Sequence, residues 1–597
     1  VQSVDPEVRG SGPVPNTAWS AIAESWGTRA RRPSFQGLLA FAIYLAVFIA
    51  AFGQSLVAHL DVPEVGQWLV DPQFYIWAMR WWPYAVSHGL NPLYSTQIGA
   101  PNGYSLAWAT SAPPVALLMW PVTAAFGPVV SFNLTLLLAP PVSAWAAFVA
   151  ARRLTGRFWA ALPAGVVYGF NIYELAHDVS GLVNLTVTLL LPLMVYLVAL
   201  WWQGSLGPIG YVIWMTVAMT LEFYTFIEAF TEMTVLWVAA LVIGFAIAWR
   251  TARRTVARLA GLTAIAYAGA IVLASPYLIY ALRHYPTALT RQTPNYSLDL
   301  VGLILPRAGR FLGLTWLGPF EGREHSTADY VGIPLLVILV ALAVVARRRK
   351  ITWLLVTAFV VVIAFAFGPN LIIDGKSVFP LPWGGLWNLP VARSAEPTRF
   401  IDFGYLVLAL VLAFWLAAPV KSRLGGAARW GLAVLAMAAI FADLPTFAEA
   451  VAAPPPTYKP AFASMPRVNN LPPFITDGLY KKYLTPGETV VVISQRGNAG
   501  MLFQAETDFY FRIAGGFINA SLTPVDAIPP QVDVLSDPTP ARVKAFKAYL
   551  KTSRVGAIIV EQAWSEHWMY VFGHLGMRTT SLGGVTIFSP APAKAKA

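Results

Sequence analysis

Long apolar runs alternate with short polar ones over most of this chain. The runs are about 18 to 25 residues long, the length that crosses a hydrocarbon core as a helix. They predict spans over 35–60, 129–151, 158–175, 182–202, 209–226, 229–249, 258–282, 330–346, 351–368, 401–420 and 429–449. The expected fold is therefore a polytopic α-helical membrane protein with eleven crossings. A shorter apolar piece at 113–127 is interrupted by Pro121 and reads as a re-entrant or interfacial element covered by protein. After residue 450 the pattern changes. A Pro-rich linker at 451–460 leads to strand-like runs at 488–494 and 555–561, separated by a helical stretch at 540–551. Strands alternating with a helix predict a small α/β domain over 461–590.

Charge then orients these spans. Only 12% of the residues are charged, against roughly a quarter in a soluble globular protein. The net charge is +12, and the excess cations sit in short loops at 152–157, 250–258, 347–350 and 421–429. Such loops lie in the cytoplasm by the positive-inside rule. Their partner is an anionic leaflet rather than nucleic acid. The run 35–60 is too long for a signal-peptide core and lacks a small-residue cleavage pattern, so it reads as the first span, with residues 1–34 in the cytoplasm. The loop 60–112 and everything after 450 then fall outside the cytoplasm. The chain has no Cys, which excludes disulfides, thiolate nucleophiles and Cys-ligated metals.

The stretch 61–110 is too polar and too rich in Pro and Gly to cross a bilayer, yet it is loaded with Trp and Tyr, which favour the membrane–water interface. Within it Asp71 precedes Pro72 and an aromatic amphipathic helix, DPQFYIWAMRWW. Asp71 reads in two ways: as a general base, or as the N-terminal cap of that helix with Pro72 just inside it. Other ionisable residues fall on the same predicted outer side. They include Glu174, His177 and Asp178, then Glu222, Glu228 and Glu232, then Arg283 and His325, then Arg393, Glu396, Arg399 and Asp402. Ionisable groups at membrane depth are costly and point to function. Each also has a plainer role: Glu228 and Glu232 as a structural pair one turn apart, His177 as a satisfied helix-end imidazole, Arg393 and Arg399 as snorkelling cations. Together they suit a charged substrate with a greasy tail. Patterns for nucleotide or protease chemistry are missing: there is no Walker A loop, HExxH or GxSxG. No cytoplasmic loop is long enough for a nucleotide-using domain, so a lipid-linked donor is the one that reaches an outer site.

At this point the chain resembles a family. The acidic residue ahead of an aromatic helix, the segment Asn91, Pro92, Pro101, Asn102 and Gly103, the Pro-led element at 113–127, Asn133 and the loop RRLTGR are similar to the bacterial GT-C-fold membrane glycosyltransferases. So are ARSAEPTRF at 392–400 and the FQAE…FRIAGGF segment at 503–517. Protein O-mannosyltransferases and the aminoarabinose transferase of lipid A belong to this superfamily. The resemblance implies a polyprenyl-phosphate-linked sugar donor and inverting transfer to a glycan, glycolipid or protein acceptor outside the cytoplasm of a bacterial inner membrane. It makes Asp71 the catalytic base. The acidic doublet of several members is replaced here by Asp71–Pro72, which leaves use of a divalent metal open. Arg393, Arg399 and Arg283 are the expected ligands of the donor phosphate. His177, Asp178, Glu228, His325 and Trp77 are expected around the sugar or acceptor. The rival reading from another class is a transporter or flippase of a lipid-linked saccharide, with a non-catalytic scaffold third.

Overall fold

The computed structural model describes residues 33–63, 71–284, 297–305, 330–381, 383–386, 395–420, 422–441, 471–494, 498–516, 518, 539–562, 572 and 577–590. The expected N-terminal segment, apart from its last two residues, and the linker at 451–460 lie outside the described residues, as do Arg393 and His325. In chain order the helices and strands are α1 (Phe35–Ala58), α2 (Asp71–Ser87), β1 (Tyr94–Ser95), β2 (Tyr104–Ser105), α3 (Pro113–Leu118), α4 (Trp120–Phe126), α5 (Pro128–Thr155), α6 (Phe158–Gly169), α7 (Ile172–Val179) and α8 (Val183–Trp202). They continue with α9 (Pro208–Thr225), α10 (Ile227–Ala248), α11 (Arg253–Arg283), α12 (Ile333–Val345), α13 (Lys350–Ala366), β3 (Asn370–Ile373), β4 (Lys376–Pro380), α14 (Pro397–Ala417) and α15 (Arg423–Phe441). The last part holds β5 (Thr489–Ile493), α16 (Ala499–Glu506), β6 (Arg512–Ile513), α17 (Pro540–Thr552), β7 (Ala557–Glu561), β8 (Met577–Leu582) and β9 (Val585–Pro590).

Among the described residues seven helices are long and apolar enough to cross a membrane: α1, α5, α8, α10, α11, α14 and α15. This corrects the expectation of eleven. Helices α6, α12 and α13 have 12, 13 and 17 residues. At about 1.5 Å per residue they reach roughly 18, 20 and 26 Å, short of a hydrocarbon core of about 30 Å. Helix α9 has 18 residues, but Thr216, Thr220, Glu222 and Thr225 lower its hydropathy. Sequence periodicity missed these breaks because apolar residues continue through them. The expected span 158–175 is split at Asn171, whose side-chain oxygen accepts the Glu174 amide at 3.1 Å and starts α7 afresh. The piece at 113–127 forms α3 and α4, each too short to cross.

Helix α14 is the axis of the bundle. Most of its side chains are buried, against α6, α13, α12 and α5. Lipid tails are as apolar as Leu, so helices in a bilayer associate through close packing, which small residues permit. The α5–α6 contact uses this device. A Cβ added at Gly169 would lie 2.5 Å from the Pro140 carbonyl oxygen and 2.5 Å from the Ala144 nitrogen. One at Gly165 would lie 2.6 Å from the Ala144 carbonyl oxygen. Gly165 and Gly169 therefore bring two backbones together one turn apart.

The C-terminal residues build a five-stranded sheet in the order β6-β5-β7-β9-β8. Strand β5 is parallel to β6 and β7, while β9 is antiparallel to β7 and β8. The strands expected at 488–494 and 555–561 are β5 and β7, and the expected helix is α17. Alternation along β5 splits its side chains between two layers. Val491 and Ile493 pack with Phe546 and Leu550 of α17, whereas Val490 joins the main core with α16.

The α16 layer welds this sheet to the first loop. Gly99 and Ala100 donate to the Gly515 and Ile513 carbonyls at 2.8 and 3.1 Å, and Ile513 donates back to Gln97 at 2.9 Å. Gln504 is fully buried. Its amide nitrogen donates to the Gln97 and Phe511 carbonyls at 2.7 and 2.9 Å, and its oxygen accepts the Trp77 indole at 2.7 Å. Arg80 pairs with Asp508 at 2.9 Å, and the Phe509 ring meets Trp77 and Trp81 edge-on. The same layer also caps a spanning helix. Helix α5 begins after Gly127 with no side-chain cap of its own. The Val129 amide donates instead to Glu506, where the helix dipole favours a carboxylate. Burial nevertheless dominates and pushes the Glu506 carboxyl up to about 7, against the Val129 bond and Arg80.

Two outcomes follow from these contacts. Gly169→Val lowers the thermal midpoint of the detergent-solubilised protein, at a cost of about 1–3 kcal/mol for overpacking. Gly244→Val, at a position with nothing within 4 Å, leaves it unchanged; equal midpoints for the two variants would contradict the packing. For Glu506, the folded state keeps a proton between about 4.5 and 7 that the unfolded chain releases. Its stabilising share is therefore full below 4.5 and is lost as pH rises through 7. Midpoints measured across that window fall less steeply with rising pH in Glu506→Gln than in the native chain, and parallel curves would refute the assignment.

Candidate active site

Asp71 opens α2, in the first turn where the helix dipole favours negative charge. The entry to this helix is held by a close approach. Gly181 adopts φ +70, and a Cβ there would meet Pro72 at 2.9 Å. One turn on from Asp71, the buried Tyr75 donates to the Asn184 side-chain oxygen. Burial pushes the Tyr75 hydroxyl up, the Asp71 carboxylate adds to this, and Arg399 opposes it. One phenol thus feels both the candidate base and a candidate phosphate ligand.

Arg399 arrives from the first turn of α14. Its guanidinium pairs with Glu228 at the start of α10 and with Glu396 at 2.8 Å, and it lies 5.1 Å from the Phe226 ring centre. Glu228 also accepts the Glu396 amide at 2.6 Å. The Arg399 Nε is buried and has no partner. Two carboxylates therefore already neutralise this cation, while its buried Nε–H is unmet.

Around it lies a set of buried acids. Glu174, Asp178, Glu222, Glu232 and Asp402 are each at most 4% exposed. Neither oxygen of Asp178 has a hydrogen-bond partner, and one oxygen of each of the other four is also unmet. Glu174 accepts from Thr188, while Tyr168 donates to Asp402 at 3.3 Å. Burial pushes the Asp178 carboxyl well above the usual range, and burial followed by Asp402 does the same to Glu174. His177 shows the opposite shift. Burial first, and Arg399 second, pull its imidazole down to about 4, so it is neutral at pH 7. Its Nδ1 lies 2.7 Å from the Tyr173 carbonyl oxygen. A carbonyl can only accept, so Nδ1 carries the proton and Nε2 is an acceptor.

The structure gathers Asp71, His177, Asp178, Glu228 and Arg399 of the expected residues at one end of the bundle. Arg283 ends α11 and is exposed, two residues beyond Ala281, whose carbonyl accepts the Trp108 indole at 2.9 Å. Trp77 requires a correction. It is fully buried, bonded to Gln504 and stacked on Trp81, so its ring has no free face for a sugar. Tyr75, Tyr168, Tyr173, Asn184 and Thr188 were missed, because polar residues in apolar runs carry no signal until the helices converge. Tyr75 alone had one: its spacing of four from Asp71 on a predicted helix. Among the described residues no three His, Asp or Glu side chains are set to hold a metal ion.

No family model matches the chain, and no curated protein sequence matches it. Solved structures do. The arabinofuranosyltransferase AftD from Mycobacteria aligns with a TM-score of 0.56 and 14% identity, over 95% of this chain and 40% of that one. The chain thus spans less than half the length of AftD. The oligosaccharyltransferase of Archaeoglobus fulgidus in its apo form aligns with a TM-score of 0.50 and 11% identity, over 95% of this chain and 76% of that one. At such identities the likeness is one of fold. This chain is a multi-pass membrane protein with a GT-C-like fold, like that of these membrane glycosyltransferases, and a mixed sheet at its C-terminal end.

Proposed function

We propose that the chain is an inverting glycosyltransferase that moves a sugar from a polyprenyl-phosphate donor to an acceptor hydroxyl outside the cytoplasm. The observation that carries this reading is the convergence of Asp71 and Arg399 on Tyr75, beside a cluster of buried acids with unmet oxygens. The acceptor is a glycan, glycolipid or protein. The named activities of the two structural likenesses, arabinofuranosyl and oligosaccharyl transfer, agree with the reading.

The proposed step needs little else. Asp71 takes the proton of the acceptor hydroxyl as its oxygen attacks the anomeric carbon. The bond from that carbon to the phosphate oxygen breaks on the opposite face, which inverts the centre. The lipid phosphate leaves already ionised, so cations rather than a general acid stabilise it. Arg399, through its unused Nε, is the first candidate cation, and Arg283 and Arg393 are the further candidates from the sequence. The unpaired Asp178 oxygens and the acceptor Nε2 of His177 suit sugar hydroxyls, which donate. That match removes the penalty of leaving buried acceptors unmet.

The test uses purified protein with radiolabelled polyprenyl-phosphate sugars and a membrane extract. Asp71→Asn is the informative variant, because Asn serves a helix start about as well as Asp but cannot act as a base. Transfer falls by about 10²–10⁴-fold, while the thermal midpoint and donor binding stay as in the native chain. Native rates in Asp71→Asn would reduce Asp71 to a helix cap. Labelled lipid crossing a liposome wall without bond transfer would favour the flippase.

A further inference from the structure

The opposite end of the bundle carries a feature that sugar transfer does not use. From Asp402 to Ala418, α14 and its C-cap run about 24 Å along the axis, away from the acidic cluster. There two cavities meet. One of about 470 Å³ is lined by Val344, Val345, Ala346, Arg347, Arg348 and Arg349. The second, of about 160 Å³, shares Val345, Ala346 and Arg349 and continues inward along Leu355 and Phe414. Its lining is apolar apart from Arg349 and Thr352. Lys350 donates to Thr251 at 2.6 Å, which ties this basic run to the turn that carries Arg250, just before Arg253 opens α11. The sequence stretches 233–298, 330–373 and 403–442 contain no Asp or Glu.

Two further observations set the level of the bilayer. The Trp353 ring is half exposed, and its indole donates to the Arg347 carbonyl at 2.8 Å. Such a ring marks the headgroup region. Below it an apolar stripe of Ile333, Val337, Val340 and Val344 faces outward along α12, each 45–64% exposed. The stripe leads into the first cavity.

We propose that this end binds an anionic membrane phospholipid. Its phosphate lies against Arg347, Arg348 and Arg349, and one acyl chain follows the α12 stripe with its upper part in the cavity beside Ala346. Topology alone explains cations at this end but not a cavity under them. The groove beside Val344, Val345 and Ala346 opens at the surface of the bundle, where in a membrane lipid chains are the solvent. The arginines at its mouth then select for a negative headgroup.

The experiment uses the full chain, delipidated in detergent. Thermal midpoints and native mass spectra are recorded with phosphatidylglycerol, with phosphatidylcholine of the same chains, and with water-soluble glycerophosphoglycerol. Phosphatidylglycerol alone raises the midpoint and stays bound in the native chain. The triple variant Arg347→Gln, Arg348→Gln, Arg349→Gln binds it about 100-fold more weakly, for the loss of three cations. Ala346→Phe fills the cavity, keeps every charge and loses the bound lipid. The triple variant Arg253→Gln, Arg254→Gln, Arg258→Gln, on α11, keeps it. Each variant's midpoint without lipid reports its folding separately from binding, and Ala346→Leu replaces the Phe variant if that baseline falls. Equal effects of the two phospholipids, an equal effect of the soluble headgroup, or full retention by the folded Ala346 variant would each overturn the proposal.

Discussion

One buried amide connects the two halves of this molecule. Gln504 uses its oxygen for the Trp77 indole and its nitrogen for two backbone carbonyls, with no exposure to water. Each bond is worth only about 1 kcal/mol net, but leaving a buried partner unmet costs about 1–3 kcal/mol. The arrangement is therefore held less by attraction than by the cost of breaking it. Because Trp77 lies on α2 and Gln97 in the loop beyond, this one side chain sets both against the C-terminal sheet. The Arg80–Asp508 pair and Phe509 extend the same contact. Asp71 heads that helix, so the geometry at the candidate base depends on a contact made far from it in sequence.

The candidate site lives with an electrostatic imbalance. Five buried acids and the Glu228–Glu396 pair surround a single described guanidinium. In a low-dielectric surrounding such acids hold protons or wait for donors, since charge there is expensive. Asp178 and Glu174 are pushed upward by burial, and His177 is pushed downward and left neutral. The cluster is thus poor in net charge but rich in hydrogen-bond acceptors. Buried acceptors with unmet oxygens are a costly arrangement for a structural core.

The two ends of the bundle solve opposite problems. The acidic end hides its charges within close-packed helices. The basic end displays its cations at the membrane surface, where water and lipid headgroups share the cost of their charge. Between them, α14 is buried by protein and α10 is mostly exposed at the surface of the bundle, although both read as continuous apolar helices.

That last comparison shows where sequence reasoning stops. Apolar runs of sufficient length determined a multi-pass membrane protein, because a helix pairs its backbone groups within the run itself and so tolerates lipid. Composition after residue 450 determined the strands and helix of the C-terminal part, and an acid before an aromatic helix singled out Asp71. Apolarity could not distinguish a full span from the shorter α6, α12 and α13, since it does not record where Asn171 or Gly169 ends a turn. It could not tell a lipid-facing ring from a buried one, which is why Trp77 was read as a sugar platform and proved to be a clamp. Only the tertiary structure brought Arg399 to Glu228, Tyr75 to Asn184 and Gln504 to Trp77. These pairings join segments far apart in the chain, and their energy comes from burial and hydrogen-bond satisfaction, which no local pattern encodes.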